Sequence, residues 1–162
     1  RKRLDILIKA AKEMPDVKFF WVGGIPFKNL GADYNAMQNM IKNAPNNLTV
    51  TGVIPLENVR DYYVAADVFV LPAMQENHPM CVLEAAGAGL PIILRDIPQY
   101  NDTFKSDAVM AKTDDEFLEL ISKLRKDKKA YKKAQLGAEK IAERFDSSAG
   151  AERLVEFYRS LI

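Results

Sequence analysis

The chain has 162 residues, of which 48% are hydrophobic and 28% are charged, with a net charge of +1. This composition is typical of one folded domain or of half of a larger enzyme, and it excludes collagen-like, disordered and disulfide-stapled proteins. The near balance of 23 basic and 22 acidic residues argues against a dedicated nucleic-acid-binding protein. The one cysteine, Cys81, permits no internal disulfide and indicates a reducing compartment. No apolar run approaches the ~20 residues of a membrane-spanning helix.

The chain begins with Arg1-Lys2-Arg3, and apolar residues at helical spacing follow at once. Because a domain rarely starts inside a helix, we expect the sequence to be a fragment that lacks at least the strand preceding this helix.

Short apolar segments alternate with amphipathic segments along the rest of the chain. The predicted strands are 17–22, 48–51, 67–71, 91–94 and 109–111. Predicted helices lie near 34–41, 55–66 and 79–87, and helical periodicity runs from 117 onwards, with a last helix starting at Ser147 or Ser148. Strands this apolar are typical of a parallel sheet covered on both faces. We therefore predict an α/β fold with a Rossmann-like parallel sheet and helices on both faces.

Ligands of such sheets bind at the carboxyl ends of the strands. The residues predicted at this edge are Gly23-Gly24, Gly52, 72–80 and Arg95-Asp96.

The loop before the helix near 79–87 carries the strongest functional signal. Proline is favoured at the first position of a helix, so His78 is the predicted N-cap and Pro79 the first helical residue. The amides of Met80 and Cys81 then point out of the helix start, where the helix dipole favours an anion such as phosphate.

Two carboxylates, Glu76 and Glu84, flank this predicted anion site. A carboxylate close to phosphate would be repelled, so we expect each to accept hydrogen bonds from sugar hydroxyls instead. A diphosphate with a hydroxyl-rich group on either side describes a nucleotide diphosphate sugar.

Glu76, seven further residues and Glu84 match the E-x7-E motif of the group-1, family-four glycosyltransferases, which this chain resembles. The segments ADVFVLP, LEAAGAGLPI, VGG and VTGVI agree with the same family. The resemblance covers essentially the whole chain and implies the C-terminal half of a GT-B enzyme, with residues 1–162 as one nucleotide-sugar-binding domain. MPDVKFFWVGG and LRDIPQYND are further similar to glucosyl-diacylglycerol synthases of Gram-positive bacteria.

The resemblance implies roles for single residues. Glu76 would hold the donor sugar near its 3- and 4-hydroxyls and Glu84 the ribose hydroxyls, and Lys2 matches the family's diphosphate-binding lysine. The expected catalytic residues are thus Glu76 and Lys2, and the expected donor-binding residues are Gly23, Gly24, Ile54, His78, Met80, Cys81 and Glu84. Ile54 lies where the family contacts the nucleotide base. The reaction would retain the anomeric configuration and use positive charge, with no metal or other cofactor, to stabilise the leaving diphosphate.

The chain departs from the family at two places. The family usually has glycine where Arg3 follows Lys2, and Phe-Gly where His78-Pro79 stands. Pro79 removes one amide from the expected phosphate site.

Each of these residues can also be interpreted as purely structural, without a role in binding or catalysis. Glu76 and Glu84 would be ordinary surface or capping carboxylates, His78 a helix cap without chemistry, and Cys81 an interior residue against the sheet. Gly23-Gly24 would be a tight turn only. An NAD or FAD enzyme is disfavoured because G-x-G-x-x-G is missing.

Two further surfaces bear on partners. Residues 123–133 contain seven basic side chains against Asp127, so they are either simply solvated or contact anionic lipid. The terminal helix 147–161 carries an apolar stripe, and we expect it to pack on its own sheet or to cross to an absent N-terminal acceptor domain. The stripe consists of Leu154, Phe157, Tyr158 and Leu161.

The sequence therefore predicts the donor half of a retaining glycosyltransferase. It would transfer a hexose, with glucose from UDP-glucose as first choice, to a lipid or glycan acceptor. We expect a cytoplasmic protein with peripheral contact to the inner face of the membrane, and a fragment that binds donor without turnover.

A GT-B sugar epimerase and a non-catalytic nucleotide-binding Rossmann-like module remain as alternatives. A response regulator is disfavoured because Asp67 opens its strand and Asp96 lacks an acidic pair.

Overall fold

The computed structural model describes residues 2–24 and 34–161. The helices are α1 Leu4–Glu13, α2 Tyr34–Lys42, α3 Leu56–Ala65, α4 Met80–Gly87, α5 Asp114–Lys126, α6 Lys128–Arg144 and α7 Ser147–Ser160, with a 3₁₀ helix at Pro98–Tyr100. The strands are β1 Phe19–Trp21, β2 Leu48–Val50, β3 Phe69–Leu71, β4 Ile92–Arg95 and β5 Val109–Ala111. Two compact units are formed, the first by residues up to Ala66 with Pro72–Gln75, and the second by Asp67–Leu71 with the chain from Glu76 onwards.

In the first unit, β1 and β2 are parallel and pair in register from Phe19 with Leu48 to Trp21 with Val50. Helix α1 packs on both strands. Its buried residues recur at helical spacing, which is why this segment forms an amphipathic helix with one face on the sheet. They are Leu4, Ile6, Leu7, Ala10 and Ala11.

The side chain of Asn47 joins the end of α1 to the start of β2. Its amide nitrogen donates to the carbonyl oxygens of Ala11, Met14 and Val17 at 2.9, 3.0 and 2.8 Å. The last carbonyls of a helix lack intrahelical partners, so an amide donor at this point stabilises the turn between helix and strand.

In the second unit, the strand order is β3-β4-β5, and both pairings are parallel. The central strand β4 is buried at all of its residues, which explains its continuous apolar sequence from Ile92 to Leu94. Helices α4, α5 and α6 pack on this sheet. The core between these layers includes Val82, Phe104, Phe117 and Ile141, all fully buried.

The predicted fold class is confirmed, since parallel strands are flanked by helices and each predicted helix and strand is present among the described residues. The strands are grouped into two parallel sheets, one in each unit, where the sequence predicted a single sheet. The predicted burial of β1 on both faces is wrong. Phe19 is 8% exposed but Phe20 is 51% exposed, because successive side chains point to opposite faces and only the face of Phe19 is covered in the described structure.

The apolar stripe of α7 is exposed, and no residue of this helix is buried in the described structure. Phe157, Tyr158 and Leu161 are each more than half exposed, so the stripe does not pack on the helix's own unit. Within residues 2–24 and 34–161, no helix combines the length and the apolar character that crossing a membrane requires.

Candidate functional site

Glu76 lies in the loop that connects β3 to α4 and is buried, with 7% of its surface exposed. This loop leaves the carboxyl end of β3, where Leu71 pairs with Leu94 of β4. A charged side chain is rarely buried unless it is paired or has a function. The burial of Glu76 does not fit an ordinary surface carboxylate.

Helix α4 begins at Met80, and Pro79 is its N-cap, with φ −73° and ψ 114°. The prediction that His78 is the N-cap and Pro79 the first helical residue is wrong by one residue, because the ψ angle of Pro79 is extended rather than helical. The first hydrogen bond of the turn runs from the Val82 amide to the Pro79 carbonyl at 3.0 Å. The amides of Met80 and Cys81 precede this bond, at the end of the helix where the dipole is positive.

The two faces of α4 differ in exposure. Val82, Ala85 and Ala86 are buried against the second unit's core. Met80 is 61% exposed and Glu84 is also exposed. Residues four apart share one face of a helix, so the Glu84 carboxylate lies on the accessible face above the helix start. Cys81 is only half-buried, where its structural interpretation expected an interior position.

His78 is held by aromatic packing. Its ring stacks on Phe104 with centroids 5.4 Å apart and planes inclined by 22°, and it lies 5.2 Å from the ring of Phe145. Phe104 is fully buried and Phe145 follows α6, so the stacking fixes the loop that carries Glu76 onto the second unit. This packing supports the structural interpretation of His78.

Tyr100 was not among the site residues predicted from the sequence, but it lies in the segment after β4, the strand that pairs with β3. It ends the 3₁₀ helix after β4, is 1% exposed, and packs edge-on against Phe104 at 5.4 Å between ring centroids. Burial raises the pKa of Tyr100 well above its usual range, and the charges of Glu76 and Cys81 raise it further. The phenol therefore stays protonated. The available signal was its position, five residues after the strand that pairs with β3.

Arg95, which the sequence placed at the same edge, has a structural role. It is 5% exposed, its Nη2 lies 2.6 Å from Oδ1 of Asp114, and its guanidinium lies 4.8 Å from the ring centroid of Phe117. These contacts hold the start of α5 against the end of β4.

Gly23 of the first unit is favoured by its backbone conformation, and Gly24 by a close contact with Val53. Gly23 has φ +124°, which only glycine adopts readily, and its amide donates to Oγ1 of Thr51 at 3.1 Å. It forms an antiparallel bridge with Gly52. A Cβ on Gly24 would lie 2.9 Å from Cγ2 of Val53 and 3.0 Å from its backbone nitrogen, so a side chain there would require Val53 to shift. This geometry supports the tight-turn interpretation and is compatible with a ligand contact.

A cavity of about 280 Å³ lies beside this turn, at the carboxyl ends of β1 and β2. Its lining includes Trp21, Gly23, Gly24, Met37, Thr51 and Gly52. Ile54 is half-buried just beyond Gly52, and Lys2 is exposed before α1. The structure thus places Lys2, Gly23, Gly24 and Ile54 in the first unit and Glu76, His78, Met80, Cys81 and Glu84 in the second.

The backbone conformation of Arg3 bears on one departure of this chain from the family pattern. It is the N-cap of α1 and has φ 61° and ψ 53°, a left-handed conformation that glycine adopts without strain. The family's usual glycine at this position is therefore understandable from the backbone. Among the described residues, no group of three or more His, Cys, Asp or Glu side chains is arranged to hold a metal ion.

The parallel strands flanked by helices, and the helix that starts behind a buried glutamate at the carboxyl end of β3, form a Rossmann-like fold of the kind found in GT-B glycosyltransferases. The model of the family described as "Glycosyl transferases group 1" matches residues 1–141. The chain belongs to this family, and the resemblance found in the sequence is confirmed.

The chain is similar to two enzymes whose names refer to diacylglycerol or its glycosylated forms. The alpha-galactosylglucosyldiacylglycerol synthase of Streptococcus pneumoniae is 39% identical over 100 residues, which are 62% of this chain and 27% of that protein. The processive diacylglycerol alpha-glucosyltransferase of Acholeplasma laidlawii is 30% identical over 126 residues, which are 76% of this chain and 37% of that protein. The chain therefore spans between about a quarter and just over a third of the length of these relatives.

Among solved structures, Anabaena HepE in complex with UDP-glucose superposes with a TM-score of 0.78 at 18% identity, covering 98% of this chain and 45% of that chain. At this identity the likeness shows the fold alone.

Proposed function

We propose that the chain binds a nucleotide diphosphate sugar and forms the donor half of a retaining hexosyltransferase. The observation that carries the proposal is the burial of Glu76 at the carboxyl edge of β3, four residues before α4 begins. Membership in the group-1 glycosyltransferases supports this assignment.

In the second unit, the proposed roles follow the chemistry of the helix start. The diphosphate accepts hydrogen bonds from the amides of Met80 and Cys81, and the dipole of α4 stabilises its charge. Glu84, on the exposed face of the same helix, accepts hydrogen bonds from the ribose hydroxyls. Glu76 accepts hydrogen bonds from the hydroxyls of the donor sugar. His78 holds the loop between Glu76 and the start of α4 in place.

In the first unit, Lys2, Gly23, Gly24 and Ile54 keep the donor-site roles that the family resemblance gives them. Lys2 supplies positive charge for the diphosphate. As the glycosidic bond breaks, negative charge develops on the leaving diphosphate, and helix amides and a lysine stabilise it without a metal. No further cofactor is proposed.

UDP-glucose is the proposed donor, and a diacylglycerol-based lipid or a glycan is the proposed acceptor. The names of the two relatives support a lipid acceptor, and the UDP-glucose complex of HepE supports the donor. The acceptor would bind to an N-terminal domain outside this chain, which the exposed stripe of α7 would contact.

We also propose cytoplasmic localisation with peripheral binding to the inner face of the membrane. The basic side chains of residues 123–133 are exposed, and each basic residue near an anionic lipid surface contributes ~1 kcal/mol.

Titration calorimetry of the chain with a panel of nucleotides and nucleotide sugars tests the proposal. We expect UDP to bind, and Glu84→Ala to weaken its binding by about 1–3 kcal/mol, the cost of removing a hydrogen-bond partner. Glu119→Ala, which removes an exposed carboxylate from α5, is the matched control and should leave UDP affinity unchanged. Unchanged UDP affinity in Glu84→Ala would remove Glu84 from the site.

A further inference from the structure

The hydroxyl of Tyr100 is buried and has no hydrogen-bond partner among the described residues. Buried polar groups in folded proteins normally have partners, because a group without one has lost its water and gained nothing in return. Phenylalanine would fill the same space without this penalty. The presence of tyrosine therefore requires an explanation other than packing.

The position of Tyr100 is fixed by its surroundings. Its carbonyl accepts hydrogen bonds from the amides of Thr103, Phe104 and Lys105 at 3.2, 3.1 and 3.0 Å. Its ring packs against Phe104, which in turn stacks on His78. The side chain is therefore held in the interior, where its hydroxyl is shielded from solvent.

Glu76 and Tyr100 both follow strands that end at the same edge of the second unit's sheet. The two residues come from neighbouring loops, because β3 and β4 pair in parallel and both loops leave the same edge of the sheet. Burial is the main cause that raises the pKa of Tyr100, and the charge of Glu76 raises it further. A protonated phenol donates one hydrogen bond, and an ionised carboxylate only accepts.

We propose that Tyr100 is a positioning residue for Glu76: when the donor sugar is bound, its hydroxyl donates to the Glu76 carboxylate and fixes the oxygen that accepts from the sugar. The inference rests on the proposed function, in which Glu76 binds sugar hydroxyls. In this proposal Tyr100 acts through Glu76 rather than by touching the sugar. Its effect is then confined to the sugar and does not extend to the nucleotide.

The test compares UDP and UDP-glucose binding by calorimetry in the wild-type chain, Tyr100→Phe, Glu76→Ala and the double variant. We expect Tyr100→Phe to weaken UDP-glucose binding roughly ten- to hundredfold, as for loss of one hydrogen bond to a charged group, and to leave UDP binding unchanged. In the Glu76→Ala background the same substitution should have no further effect. The thermal unfolding midpoint of the unliganded Tyr100→Phe chain should not fall, because the hydroxyl removed has no partner.

Tyr131→Phe is the matched control. The Tyr131 hydroxyl donates to the Asp67 carbonyl at 3.1 Å, at the opposite end of β3, so its removal should leave the ratio of UDP to UDP-glucose affinity unchanged. An equal loss of UDP and UDP-glucose binding in Tyr100→Phe, or a lowered midpoint, would show a structural role and overturn the inference.

The two proposals fail in different ways. If UDP-glucose binds and Glu76→Ala weakens it while Tyr100→Phe binds normally, only the role of Tyr100 is refuted. If the wild-type chain binds neither ligand, the proposed function is refuted and the role of Tyr100 with it.

Discussion

Gly137 of α6 lies directly against the main-chain carbonyl of Asp107, and a Cβ at this position would overlap the carbonyl oxygen. Gly137 and Ala138 are buried on the face of α6 that packs against the rest of the second unit. The absence of a side chain at Gly137 therefore sets how closely this helix approaches the turn before β5.

Replacing Gly137 by alanine should lower the free energy of unfolding by about 1–3 kcal/mol, because the carbonyl and the helix must move apart. Urea denaturation measures this change. Gly87→Ala is the control, since nothing lies within 4 Å of a Cβ there, and it should be neutral or stabilise by up to ~1 kcal/mol. Equal stability of Gly137→Ala and wild type would contradict the close contact.

The left-handed conformation of Arg3 predicts an unusual order of substitutions. Arg3→Gly and Arg3→Ala both lose the ion pair between Nη2 of Arg3 and Oδ2 of Asp5 at 2.8 Å. Alanine keeps the strain of positive φ, so the glycine variant should be more stable than the alanine variant by about 1 kcal/mol. Elsewhere in a helix, alanine is the better residue. Chemical denaturation of both variants decides the order, and a more stable alanine variant would disprove the left-handed geometry.

The acid sensitivity of the fold should depend on Asp107. The Ser106 hydroxyl donates to its carboxylate at 2.7 Å and is the main cause that lowers its pKa below the usual 3.8, while burial opposes this and Arg144 supports it. A lowered pKa in the folded state means that the stabilisation is complete above about pH 4 and is lost as the pH falls through the folded-state value.

Asp107→Asn should therefore lose stability less steeply than wild type between about pH 4 and pH 2. Unfolding free energies measured across this range test the effect, with Asp102→Asn as a control in the exposed part of the same turn. Identical pH slopes for Asp107→Asn and wild type would exclude Asp107 as a contributor.

Much of the fold was predictable because it depends on local periodicity. The buried face of α5 follows from the spacing of Phe117, Ile121 and Leu124, and β4 follows from a continuous apolar run. The exposure of Phe20 was not predictable, because it depends on which face of β1 is covered and not on the strand's own residues.

The candidate site was likewise predictable only where the signal is local in sequence. Glu76 and Glu84 were identified from their spacing around a helix start, which is a local signal. Tyr100 was missed because its relation to Glu76 depends on β3 and β4 being neighbours, a pairing between strands about 20 residues apart in sequence. The one-residue error at Pro79 depends on a single ψ angle that proline does not fix.

A crystal structure of the chain grown with UDP-glucose tests the central claim most directly. We predict diphosphate oxygens within hydrogen-bond distance of the Met80 and Cys81 amides, with the Glu84 carboxylate on the ribose and the Glu76 carboxylate on the glucose. A diphosphate bound away from the start of α4, or carboxylates of Glu76 and Glu84 that contact neither sugar, would contradict it.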